Sequence, residues 1–128
     1  MRHQDWEKRL AAYLSQVGLF EWGQNDCCLF AANGVLAMTG VDYAQPYRGY
    51  TTAKEALRLL GDDGVEGVAI KAWGEPKPPA MAKRGDPVLV DLGDDIALGL
   101  CVGAKIAAVG PHGLVMLPMK KAVKAWSV

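Results

Sequence analysis

An excess of charge of either sign is missing from this sequence, in which 14 Lys and Arg balance 14 Asp and Glu over 128 residues. A nucleic-acid binder is expected to carry a basic excess or stripe. The cluster Lys120, Lys121 and Lys124 is too small to make one, so nucleic acid is not an expected partner. Long apolar runs are also missing. None approaches the roughly 20 residues needed to cross a bilayer, and no membrane span is expected. The opening Met1-Arg2-His3-Gln4-Asp5-Trp6 mixes acids and bases and has no apolar signal core. That argues against a secretory leader and for synthesis in the cytoplasm. Cysteine is scarce and odd in number: Cys27, Cys28 and Cys101. Neighbouring cysteines make a strained disulfide, and neither C-x-x-C nor H-x-x-x-H spacing occurs. No disulfide framework, metal site or cofactor site is therefore expected.

What is present fits one globular domain with a real core, since 51% of the residues are hydrophobic. Residues 3–17 read as an amphipathic helix with Trp6, Leu10, Tyr13, Leu14 and Val17 on one face, stopped by Gly18. A second helix is expected from about Cys27 to Thr39, capped by Asn25 or Asp26 and ended by Gly40. Residues 41–50 form a loop carrying Asp42, Tyr43, Tyr47, Arg48 and Tyr50. Thr52-Ala53-Lys54-Glu55 is a capping box that opens a helix to Leu60. Residues 63–73 are open between a short helix and irregular structure, and Gly74 to Pro79 cannot be a central strand. Beyond that linker the period changes. Residues 88–90, 96–102, 105–109, 114–117 and 122–128 read as short strands separated by Gly, Pro and Asp. Helices first and an antiparallel sheet second give an α+β fold, with the helices packed on a C-terminal sheet.

The stretch with chemical content is Trp22-Gly23-Gln24-Asn25-Asp26-Cys27-Cys28-Leu29-Phe30. It puts Cys27 at the expected N-terminus of the second helix, where unpaired N–H groups and the helix dipole favour thiolate over thiol. Thiolate is the nucleophilic form. Cys28 points about 100° off that face and reads as packing. Cys101, inside a strand, reads as a small buried hydrophobe. Asp26 reads as a helix cap, and Asp94-Asp95 as a solvated hairpin tip.

Asp26-Cys27-Cys28-Leu29-Phe30 resembles the D-C-S-G-F signature of NlpC-type papain-like cysteine peptidases. Arg84-Gly85-Asp86-Pro87-Val88-Leu89-Val90 resembles that family's R-x-G-D-L-V-F-F strand. Ile96-Ala97-Leu98-Gly99-Leu100-Cys101-Val102-Gly103 resembles its H-V-G-I-Y-L-G strand. The three stretches occur in the family's order and span about residues 20–110. With its terminal Ala125-Trp126-Ser127-Val128, the chain looks most like small phage and prophage proteins related to that superfamily. The resemblance implies a single papain-like domain over residues 1–128 with Cys27 in the nucleophile's position. It also exposes a departure. The position of the family's catalytic His corresponds to Ala97, and that of the polar residue that orients it falls near Val109; neither side chain handles a proton. His112, in the turn Gly110-Pro111-His112-Gly113, is the candidate replacement, because a hairpin of residues 96–109 would bring this turn to the sheet edge beside Ala97. The alternative is a solvated turn histidine. His3 is a weaker candidate for the base.

Two functions from different classes follow. The first is a degenerate, phage-tail-associated NlpC-like domain that is structural or binds a peptidoglycan peptide without cutting it; its partners are tail proteins, and its final location is the virion. The second is an active cysteine peptidase or amidase cleaving peptidoglycan stem peptides, with Cys27 as nucleophile and His112 as base. A base within reach of Cys27 discriminates them.

Overall fold

The computed structural model describes residues 1–128 and is α+β, as the change of period anticipates. Helix α1 (Trp6–Ser15) and helix α2 (Leu29–Thr39) come first. Helices α3 (Ala53–Leu60) and α4 (Gly64–Trp73) follow, and then strands β1 (Pro87–Asp91), β2 (Ile96–Cys101), β3 (Lys105–Gly110), β4 (Gly113–Pro118) and β5 (Ala122–Ala125). The open segment 63–73 is thus helix α4. The last strand is shorter than its apolar pattern suggests, because Trp126 leaves the sheet to enter the core, fully buried, with its indole N–H donating to Gly74 O at 2.9 Å.

All strand pairs are antiparallel, in the order β4-β3-β2-β1-β5. The two outermost strands, β4 and β5, are consecutive in sequence and joined by Met119–Lys121 alone. In a flat sheet four strand spacings would separate them by about 19 Å, whereas the four Cα steps from Pro118 to Ala122 reach at most about 15 Å, and less in a 3₁₀ turn. The sheet is therefore curled. Alternation along the strands then makes two apolar faces. Val88, Val90, Cys101, Ile106 and Ala125 form a cluster on one face, joined by Leu117 and Met119. Leu89, Leu98, Leu100, Ala107 and Trp126 face the helices and pack with Leu10, Phe30, Ala31, Val35 and Met38.

Helix α2 is buried almost all round and lies between α1 and the sheet. Its small residues permit the close approach: a Cβ on Gly34 would come within 2.3 Å of Leu100 Cδ1. Helix α1 lays Leu10 into the core with Trp6, Tyr13, Leu14 and Val17 around it, the face its sequence spacing predicts. The capping box at α3 forms in part, with the Glu55 N–H donating to Thr52 Oγ1.

One buried carboxylate ties the two ends of the chain to the sheet. Asp86, 2% exposed, pairs with Arg2 at 2.7 Å and with Lys77 at 2.7 Å. Arg2 also donates to Val128 O and Arg84 O, and Lys77 donates to Ser127 Oγ. The β5 edge is covered here, since Lys77 exchanges backbone hydrogen bonds with Ala125. Removing a buried acid leaves its cations unpaired. Asp86→Ala is expected to lower stability by about 3 kcal/mol and Arg2→Ala by about 1 kcal/mol, as read from urea unfolding midpoints.

Candidate functional site

The candidate site is the turn that leads into α2. The helix begins at Leu29, so Cys27 sits two residues ahead of it rather than in its first turn. The N-cap work is done by Asp26, fully buried: its Oδ1 accepts from the N–H groups of Cys28 and Leu29, at 3.0 and 2.9 Å. Its Oδ2 accepts from Gly23 N–H at 3.0 Å and from the Tyr50 hydroxyl. Asp26 is thus the cap that the sequence names, with a second duty that the sequence does not show. It bonds the 41–50 loop, through Tyr50, to the turn before α2. Gly23 has a φ of 77°, and a Cβ there would lie 2.0 Å from Tyr50 O, so only glycine lets the two backbones meet.

The Cys27 carbonyl accepts from Leu98 N–H at 2.7 Å. The Cys27 turn therefore docks against β2 at Leu98, one position from Ala97, whose side chain shares the opposite face of the sheet with its partner Val90. It does so at an opening in the sheet: β2 pairs with β3 only at Leu100–Ala107 and Cys101–Ile106. Ala97, opposite Val90, is buried and supplies no proton acceptor.

The electrostatics oppose the expectation of a primed thiolate. Burial, followed by the negative charges of Asp26 and Asp95, pushes the Cys27 thiol up to about 11. Desolvation disfavours the anion, and the two carboxylates add to it, so the helix terminus does not prevail. Cys28, more deeply buried, is pushed up to about 12 by the same order of causes, burial and then Asp26. Cys28 faces a small, wholly apolar cavity of about 20 Å3 among Tyr43, Tyr47, Trp73 and Leu98. That volume holds no more than a water molecule. Cys101 is buried in the sheet, as its pattern predicts.

His112 occupies the exposed β3–β4 turn, and no hydrogen bond joins it to Cys27. The groups whose charge acts on the Cys27 thiol are carboxylates. His3 is exposed and lies over Gly40, at the far end of α2. In the 41–50 loop, Arg48 is bound by both oxygens of Asp42, at 3.0 and 2.9 Å, and by Asn33 Oδ1 at 2.7 Å. It fastens the loop to α2 rather than pointing into a cleft. Tyr50, read from sequence only as one of the loop residues, is bonded to Asp26, a role that sequence reasoning missed. Its partner lies 24 positions away, and no local pattern announces such a contact.

Two outcomes follow. Alkylation of Cys27 by iodoacetamide, followed by mass spectrometry, is expected to be slow at neutral pH and to rise about tenfold per pH unit toward pH 11. Asp95→Asn should accelerate it at fixed pH. Cys27 is still expected to react before Cys101, through exposure rather than ionisation. Stability should also fall in alkali. An unfolded thiol ionises near 9.0, but Cys27 and Cys28 resist ionisation in the fold until about 11 and about 12. Between those values the unfolded chain releases more protons. Urea midpoints should decline above pH 9, and Cys28→Ala should shallow that decline.

No curated protein matches the sequence. A family described as a domain of unknown function, DUF6950, matches residues 1–128, and the chain belongs to that family.

Proposed function

We propose that this chain is a papain-like domain of the NlpC type that has kept the nucleophile's place, has lost its base, and acts by binding or assembly in a phage or prophage tail. The observation that carries this reading is the state of Cys27. Burial and the carboxylates of Asp26 and Asp95 push this thiol up to about 11, so it stays protonated at neutral pH. Hydrolysis of an amide also needs a group that protonates the departing amine. The strand residue that meets the Cys27 turn, Leu98, and its neighbour Ala97 are apolar, and the charges that act on the thiol are carboxylates that oppose its ionisation. The papain-like assignment rests on the order of elements, on the three sequence stretches named above, and on the contact between the Cys27 turn and the strand bearing Ala97.

The tail association and the peptidoglycan peptide come from the resemblance alone; the lack of hydrolysis is tested directly. Purified protein incubated with dye-labelled cell walls should release no dye above the Cys27→Ala background. Robust release abolished both by Cys27→Ala and by His112→Ala would overturn the reading and establish a peptidase with a Cys27–His112 pair. Loss with Cys27→Ala alone would also overturn it, with a base other than His112.

A further inference from the structure

We propose that the open groove between α3, α4 and the β1–β2 turn docks a basic, partly apolar peptide segment of a partner protein. This rests on the reading of the chain as a binding domain and names the chemistry of what it binds. The groove has a volume of about 830 Å3. Three large apolar side chains converge on it and stay in water: Leu57 of α3, 70% exposed, Ile70 of α4, 37% exposed, and Ile96 of β2, 43% exposed. Such exposure at a concave surface marks an interaction site more often than scattered apolar residues do.

Acidic side chains outnumber basic ones in the groove. Asp63, Asp94 and Asp95 line it, and none of them is in an ion pair. Glu66 is already bound to Lys124 at 2.8 Å, and Lys71 is the one cation of the lining. The excess is local, because the whole chain is neutral. It is also dispersed: no three His, Cys, Asp or Glu side chains converge closely enough to hold a metal ion. A nucleic acid has the wrong charge for this surface. The complementary ligand carries separated positive charges together with aliphatic surface. Lys and Arg side chains in an extended segment with Leu or Ile between them have that character, since their stems cover apolar surface while their heads reach carboxylates. Asp95 also acts on the Cys27 thiol, so a bound segment would lie toward the turn where the family resemblance puts the reaction centre.

The test uses three fluorescein-labelled peptides with alternating Leu and a second residue, which is Lys, Ser or Glu, read by fluorescence anisotropy on the full chain. The Lys peptide is expected to bind, the Glu peptide not to bind, and the Ser peptide to bind at least about tenfold more weakly than the Lys peptide. Asp94→Asn combined with Asp95→Asn should weaken the Lys peptide by about tenfold, as should about 0.3 M salt. Ile70→Ser should weaken it while leaving its salt dependence in place. All the substituted positions are exposed, and circular dichroism checks that the variants fold. No binding of the Lys peptide, equal binding of the Glu peptide, or a Lys-peptide affinity unchanged by the double substitution would overturn the proposal. Cell-wall dye release, measured separately, decides the non-hydrolytic reading, so either conclusion can fail without the other.

Discussion

The buried carboxylate of Asp26 is the contact on which the candidate site depends. Its two oxygens hold the start of α2, the Gly23 backbone and the Tyr50 hydroxyl at once. A carboxylate this deeply buried is tolerable only when its lone pairs are filled, and here four donors fill them. The same bonds fix the direction in which Cys27 leaves the turn and bring its carbonyl to Leu98. The arrangement carries an electrostatic cost as well. The negative charge that organises the turn is one of the causes that hold the neighbouring thiols protonated. Structure and nucleophilicity are in conflict at this corner, and structure prevails.

The conflict can be weighed. A helix terminus typically favours a nearby anion by about 0.3–1 kcal/mol, falling off within the first turn. Loss of water around a thiolate works on a scale of several pKa units for a fully buried group. Cys27 lies before the first turn, is partly buried and feels the charge of two acids, so the smaller effect yields. The strand residues at the docking point, Ala97 and Leu98, are apolar and offer no positive charge to offset that burial.

Much of the fold was legible because its signals are local. The change from helical to strand period, the capping box at Thr52 and the turn residues between strands each report on a few neighbouring positions, and most match an observed element within a residue or two; the exceptions are α1, three residues shorter at its start than the expected 3–17, and β5, three residues shorter at its end. The segment 63–73 stayed open because helix α4 buries little beyond Ala69 and has no clear apolar stripe. The start of α2 lies two residues later than its sequence suggests, at Leu29, while its end at Thr39 agrees. What could not be read were contacts between distant positions. Tyr50 on Asp26, Asp86 on both Arg2 and Lys77, and Asp95 toward Cys27 all join residues that no periodicity links. The curl of the sheet was equally hidden, although one short connection, Met119–Lys121, enforces it once the strand order is known.

The docking of the Cys27 turn through its carbonyl separates shape from chemistry. Leu98 grips an atom that every amino acid possesses, and Asp26 grips amides that every residue but proline possesses. The side chain at position 27 takes no part in either grip. Another residue could stand at position 27, and the backbone would go on presenting the same corner to β2. The shape of this corner is thus set by atoms common to all residues, and its chemistry by the one side chain left out of both contacts.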